Sequence, residues 1–307
     1  LRIAILCNDR LGIPALQQLV QNRLAVVVGT SDRSPEMVAI MQQVSAQAHI
    51  PAQVFTKKDF EAQLNDWLLK HKPDVVLVKT FPFRIPASAL TIPKHGFINF
   101  HYAPLPAWRG SNPLFWMIRK GVTTGGIAVH RMDEHFDTGP VLLQQPITFP
   151  PDSTFGMRST QLAYGGAELT AQLLHGLQAG TLTPIPQDNV QAAWYGRPKP
   201  ADFFIDWNKM NATSVCALVK ACNPWLKGAP TRFRGWTICI TDASVSTLGV
   251  PEGTLPGTLL RLDEQEGCVI ACEGGTALKV EVIYIEEGFF AGNKLLAFGL
   301  KPNDQFI

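Results

Sequence analysis

The first half of the chain alternates between short apolar runs and longer stretches whose apolar residues recur at helical spacing. Residues 2–7 (RIAILC) make a run of strand length, and a turn over 8–12 follows. Leu16, Leu19 and Val20 then share one helical face. Residues 24–29 repeat the strand pattern. Ser34-Pro35 opens a helix reaching about residue 49, with serine as the cap and proline in the first turn. A further helix over 56–70 leads to a strand over 74–79. This βαβαβ order predicts an α/β fold with a Rossmann-like, mostly parallel sheet covered by helices. Strand patterns at 97–101, 125–131 and 141–147 extend it, and 155–177 reads as a long amphipathic helix.

The pattern changes after Gly196-Arg-Pro-Lys-Pro200, a stiff and polar connector. The expected division is a first domain over 1–195, a linker over 196–201 and a second domain over 202–307. The second domain opens with a helix over 211–222. Short strands follow at 236–240, 257–262, 268–272 and 277–283, separated by glycine and charged turns. Strands of that length and spacing predict a small β-barrel of the OB type.

Composition narrows the class. The 307 residues are 46% hydrophobic and 17% charged with a formal charge of +2, the balance of a globular chain with no marked pull towards polyanions. The first apolar stretch is too short for a membrane span and lacks a signal peptide's layout, so no membrane partner is expected, and the cysteine usage implies a cytoplasmic location. The six cysteines, Cys7, Cys216, Cys222, Cys239, Cys268 and Cys272, form no Cys-x-x-Cys pair and read as reduced core thiols.

An opening βαβ unit invites a dinucleotide-binding reading, but the first turn, Asn8-Asp9-Arg10-Leu11-Gly12, has a single glycine and an acid. A pyrophosphate needs several glycines for close backbone approach and no negative charge there. The dense chemistry lies instead between Asn99 and Pro140. In Asn99-Phe100-His101 the two polar residues project from the same face of a strand, near its carboxyl end, where ligands bind in open α/β sheets. A proline-rich loop over 102–110 follows. Asp137, in Phe136-Asp137-Thr138-Gly139-Pro140, sits in a loop between two strands.

An amide, an imidazole and a carboxylate converging on one crevice suit acyl transfer to an amine. A histidine of near-neutral pKa can take the amine proton, and a carboxylate beside it should orient the imidazole and favour its protonated form. An asparagine amide can donate to the oxyanion of the tetrahedral intermediate, where one donor is worth roughly 3 kcal/mol. Each residue alone has a plainer reading. A lone strand histidine is usually structural, and Asp-Thr-Gly is usually a turn. His130 and His135, with His101, could suggest a metal site, but the amide–imidazole–carboxylate set has a metal-free chemistry. His95 and His175 read as surface or packing residues.

Together, Asn99-Phe100-His101, Leu105-Pro106, Trp108-Arg109-Gly110 and Asp137-Thr138-Gly139-Pro140 resemble the signature of the folate-dependent formyltransferases. Its Asp-Thr-Gly stands about 38 residues after the Asn, as Asp137 does after Asn99. Asp206-Trp207, Asn223-Pro224-Trp225 and Gly228-Ala229-Pro230-Thr231 resemble the carboxyl-terminal barrel of the methionyl-tRNA branch, so the likeness covers most of the chain. It implies a formyltransferase catalytic domain using 10-formyltetrahydrofolate as co-substrate and no metal. Asn99 would polarise the formyl group, His101 would handle the amine proton and Asp137 would tune His101. Phe83, Arg84, Ile85, Leu105, Pro106 and Asp137 are expected around the folate, and Arg109 and Gly110 around the acceptor.

Departures bear on the acceptor. The family's Ser-Leu-Leu-Pro loop reads Ala103-Pro104-Leu105-Pro106, and the first turn lacks Gly-Thr-Pro. The segment Thr30–Glu36 lacks the basic insertion usual in the tRNA enzyme, with Asp32 and Glu36 flanking Arg33. From Pro200 onward there are nine Lys or Arg against twelve Asp or Glu, a net of −3, where a tRNA-binding barrel should be basic. These features favour a small amine acceptor such as a nucleotide-linked amino sugar. Methionyl-tRNA is the alternative, ahead of a formyl-folate hydrolase and a noncatalytic folate-binding relative.

Overall fold

The alternating half of the chain forms β1 (Ile3–Cys7), α1 (Ile13–Gln21), β2 (Ala25–Ser31), α2 (Pro35–Ala48), β3 (Ala52–Phe55), α3 (Phe60–His71), β4 (Val75–Lys79), α4 (Ala87–Leu90) and β5 (Phe97–His101). Next come β6 (Arg109–Gly110), α5 (Pro113–Arg119), β7 (Thr124–Arg131), β8 (Val141–Thr148), α6 (Phe155–Ala179) and β9 (Trp194–Tyr195). The computed structural model describes residues 1–264 and 267–307. Its seven-stranded sheet has the order β3-β2-β1-β4-β5-β7-β8. Pairing is parallel from β3 to β5 and antiparallel from β5 to β8. This is the mostly parallel, Rossmann-like sheet the periodicity predicts.

Alternation along the strands sorts the two faces. Ala4, Leu6, Val76, Val78 and Phe97 pack with Phe60, Leu64, Trp67 and Leu68 of α3. Asn99 and His101 share that face with Phe97 by the two-residue period of β5. On the opposite face Lys79 stands in register with Phe100 and reaches α6. Ser34 caps α2 through the Met37 N–H, as its position before Pro35 predicts. At the first turn the Asp9 carboxylate accepts the Leu11 N–H at 2.8 Å, filling with an acid the place a dinucleotide phosphate would need.

The chain resolves into two compact units that differ from the contiguous division expected from sequence. One comprises residues 1–113, 124–148 and 159–195; the other comprises 114–123, 149–158 and 196–307. Two short segments from within 1–195 therefore belong with the second unit. The reason is aromatic packing: Phe115 meets Phe203 and Trp225 at 5.4 and 6.3 Å, and Phe155 meets Trp225 at 5.9 Å. Arg158 donates to the Val122 carbonyl at 2.6 Å, and Lys220 pairs with Asp152 at 2.8 Å.

The second unit contains α7 (Ala212–Cys222), β10 (Ala229–Phe233), β11 (Trp236–Ser246), β12 (Leu259–Asp263), β13 (Gly267–Cys272), β14 (Thr276–Ile285) and β15 (Gly288–Ala291). The antiparallel sheet runs β10-β11-β14-β13-β12, with β15 on β14. Its two edges are joined by the last residues: Ile307 exchanges both backbone bonds with Arg232 of β10, and Leu259 of β12 donates to Asp304. That closure gives the small barrel the spacing predicts. All six cysteines are free thiols. Among the described residues, no helix is long and apolar enough to cross a membrane.

Candidate active site

Strand register builds the centre of the site. Asn99 of β5 stands directly opposite His130 of β7, and His101 opposite Ala128. Cross-strand partners share a face, so Asn99 and His130 meet, and Ala128 leaves room beside His101. The β7–β8 loop then brings Asp137 to the same place. Asp137 adopts a left-handed backbone (φ 53°), which aspartate tolerates better than most residues. Gly139 lets the loop close, because a Cβ there would lie 1.9 Å from the Arg131 carbonyl oxygen.

His101 is buried, and its Nε2 lies 2.6 Å from the Trp108 carbonyl oxygen. A carbonyl can only accept, so Nε2 carries the proton and Nδ1 is the basic atom. Nδ1 lies 3.5 Å from Asp137 Oδ1. Burial lowers the His101 pKa below its ordinary 6.5, against the upward pull of Asp137 and of the Trp108 carbonyl. The carboxylate favours the imidazolium as expected, but desolvation outweighs it, and the ring is neutral at pH 7. Burial pushes the Asp137 carboxyl up, but His101, His130 and the Gly110 N–H at 3.0 Å from Oδ2 outweigh it and bring the pKa to about 2. Asp137 is therefore an anion beside a neutral base.

His130 is the residue the sequence reading underrated. It is 1% exposed, its Nδ1 donates to the Arg131 carbonyl at 2.9 Å, and its Nε2 therefore accepts from Asn99 Nδ2 at 3.1 Å. The second Asn99 N–H points to Asp137 Oδ1 at 3.4 Å. The β5–β7 register was the signal that could have found this pairing. Among the described residues, no group of His, Cys, Asp or Glu is arranged to hold a metal ion.

The residues expected around a folate divide into two sets. Phe83 and Ile85 bury their side chains in the core with α3, and the Phe83 ring also lies 5.0 Å from the Arg33 guanidinium. Among the described residues, no backbone group of Phe83, Arg84 or Ile85 makes a hydrogen bond to another backbone group. The Arg84 guanidinium donates to the Glu134 carbonyl in the Asp137 loop. Leu105 is buried, and its N–H donates to Gln144 Oε1 at 3.1 Å, fixing the loop before Pro106.

The substrate contact expected of Arg109 is not the one its side chain makes. Arg109 is 3% exposed; Nε and Nη2 donate to Gln187 Oε1 at 3.1 and 2.8 Å, and Nη2 also donates to Asn189 Oδ1 at 2.9 Å. The guanidinium is held inside because β6 pairs with β9, setting Arg109 opposite Trp194. Gly110 (φ 119°) must be glycine, since a Cβ would lie 1.9 Å from the Tyr195 carbonyl oxygen. It contributes its N–H to Asp137 rather than a side chain to an acceptor.

The chain is similar to known proteins along most of its length. Residues 2–169 match the family described as formyl transferase, and residues 197–291 match the formyl transferase C-terminal domain. A methionyl-tRNA formyltransferase from Anaeromyxobacter dehalogenans is 31% identical over 93% of each chain. The N-formyltransferase from Helicobacter canadensis, solved with folinic acid and dTDP-3-aminofucose, superposes with a TM-score of 0.65 at 13% identity, over 90% of this chain and 97% of that one. HypX from Aquifex aeolicus, solved with tetrahydrofolic acid, superposes at 0.65 and 19% identity over 98% of this chain. This chain spans about half of HypX, 47% of its length.

Proposed function

The chain belongs to the formyl transferase family, and from that premise we propose that it transfers a formyl group from 10-formyltetrahydrofolate to the amino group of methionyl-tRNA. The observation that carries the acceptor is the 31% identity maintained over 93% of both chains with a methionyl-tRNA formyltransferase, against 13% with a sugar N-formyltransferase. The intact Asn99–His101–Asp137 set supports the transfer itself.

The residues fit a formyl-folate donor. The backbone of Phe83–Ile85, committed to no backbone–backbone bond among the described residues, carries N–H and C=O groups of the kind a pterin ring needs, and the buried Phe83 and Ile85 side chains anchor that segment. When bound, the donor supplies an electrophilic formyl carbon. His101 Nδ1, unprotonated at neutral pH, takes the proton lost by the attacking amine as the new C–N bond forms. The imidazolium so produced is stabilised by the Asp137 anion at 3.5 Å. Returning that proton to the departing folate nitrogen restores the base. Asn99 keeps one N–H on His130 and can turn the longer one, now 3.4 Å from Asp137, towards the formyl oxygen.

A small amine acceptor is the second reading. The net charge of −3 from Pro200 onward favours it, as does the pairing of Arg10 with Glu36 at 2.7 Å, which offsets a cation near the first turn. Incubating the protein with 10-formyltetrahydrofolate and either methionyl-tRNA or dTDP-3-aminofucose separates the two. Formyl-methionyl-tRNA is the expected product. Formylation of the amino sugar alone would reverse the choice, and folate release without an acceptor would identify a hydrolase.

A further inference from the structure

Gln187 lies between the two segments that match the family, 2–169 and 197–291, yet its side chain is the most completely engaged near the site. Its Oε1 accepts both the Nε and the Nη2 of Arg109. Its Nε2 donates to the Asp137 carbonyl at 2.9 Å and to the Gly139 carbonyl at 2.7 Å. An amide has two acceptor sites and two donors, so this side chain is saturated. Only one orientation is possible, because the flipped amide would set its oxygen against two carbonyls and its NH2 against a guanidinium. Arg109 also polarises the amide, which strengthens the two bonds it donates.

Trp108-Arg109-Gly110 thereby acts on both reacting side chains. The Trp108 carbonyl fixes the tautomer of His101, the Gly110 N–H holds Asp137 Oδ2, and Arg109 acts through Gln187 on the Asp137 backbone. The left-handed conformation of Asp137 costs free energy and persists only where its surroundings over-determine it. Resting on the formyl-transfer reading, we propose that Gln187 is a positioning residue for the reaction, relaying the fixed charge of Arg109 to the Asp137 loop so that the carboxylate stays against His101 Nδ1.

The groups facing the Asp137 carboxylate are His101 from β5, His130 from β7, the Asn99 amide and the Gly110 N–H; Arg109 lies behind Gln187. Two variants separate the relay from simple packing. Gln187→Glu keeps an oxygen partner for Arg109 but cannot donate to the two carbonyls. Gln187→Met fills the volume and makes neither contact. In Gln187→Glu the melting temperature should fall, since a carboxylate oxygen would face the Asp137 and Gly139 carbonyls, so rates are compared well below the melting temperature of each variant. The kcat of Gln187→Glu should fall on the order of 100-fold, the effect of roughly 1 Å of misplacement, while KM for the folate stays unchanged. In both variants the Asp137 carboxyl, followed by 13C NMR without any substrate, should titrate above the wild-type value of about 2.

Wild-type kcat in both variants, or an unmoved Asp137 titration in both, overturns the relay. If the wild type transferred no formyl group but the Asp137 titration still moved, the transfer reading would fall and the relay would stand. Should Gln187→Glu not fold, Gln187→Met gives the same kcat and titration readouts.

Discussion

The two faces of β5 carry two buried polar clusters that look alike in burial and differ in consequence. On one, Asn99 and His101 meet His130 and Asp137. On the other, Lys79 lies fully buried beneath Phe100, its Nζ 3.3 Å from the ring centroid and donating to the Gly166 carbonyl of α6 at 3.1 Å. Desolvation lowers the pKa of both His101 and Lys79. The first cluster also holds an anion, and His101 Nδ1 stands beside it with no proton of its own, so a proton arriving there is stabilised. Among the described residues Lys79 has no carboxylate within ion-pair distance, and its amine is spent on a helix carbonyl and a ring. Burial alone perturbs a pKa. A reaction centre also needs a fixed counter-charge and one atom left open to substrate.

Removing the counter-charge should produce the largest effect. Asp137→Asn should lower formyl transfer by roughly 10²- to 10⁴-fold, the usual range for general acid–base groups. Asp137 raises the His101 pKa, so its loss should also move the acid limb of the pH–rate profile to lower pH. The variant carries a stability signature too. A carboxyl that falls from 3.8 unfolded to about 2 folded contributes about 2 kcal/mol above its unfolded pKa, lost as the pH falls through the folded one. Acid denaturation of the wild type should therefore steepen between those values, and that of Asp137→Asn should not. An unshifted acid limb in the variant would mean that His101 is not the base.

Much of this architecture is legible in the sequence, and the omissions have definite causes. The strand over 97–101 and the helix over 212–222 stand where periodicity and capping residues put them, Asn211 accepting the Ser214 N–H at 2.9 Å. Strand β3 is four residues long and follows Pro51, so its signal merged with the helix behind it. The short segments at 114–123 and 149–158 could not be assigned to the second unit, because local periodicity says nothing about which partner an aromatic such as Phe115 will meet. His130 stands out in the sequence only as one of three histidines that could suggest a metal site; its contact with Asn99 follows from the register of β5 on β7, which local pattern does not give. Gln187 and Asn189 lie in an aperiodic stretch, and Arg109 gives no sign in sequence that its charge turns inward.

A smaller effect sharpens the comparison from the active face. His130→Leu would remove the acceptor of the Asn99 N–H and free the amide to rotate. The loss of one buried hydrogen bond, about 1–3 kcal/mol, predicts a fall in kcat of about 10- to 100-fold. His130→Gln, which can again accept from Asn99, should recover part of it. Equal rates in the Leu and Gln variants would assign His130 to packing alone.

The smallest effect on rate, and the clearest contrast, belongs to Lys79→Met. Lys79 touches none of Asn99, His101 and Asp137, so formyl transfer should be unchanged. Stability should rise. The Gly166 carbonyl keeps the Thr170 hydroxyl at 2.6 Å as a donor, so no buried acceptor is orphaned. The linear thioether fills the lysine stem's space, and replacing a buried ionisable group with an apolar one of similar volume is commonly stabilising by about 1 kcal/mol or more. The sign of the pH dependence follows from linkage. Folded Lys79 has a pKa well below 10.5, so between the two values the unfolded chain binds a proton that the folded chain does not. The contribution of Lys79 to wild-type stability should therefore climb with pH across that window, and the advantage of Lys79→Met should shrink as the pH approaches 10.5. A gap independent of pH would mean that Lys79 stays charged beneath Phe100, held there by the ring and the helix carbonyl without any anion.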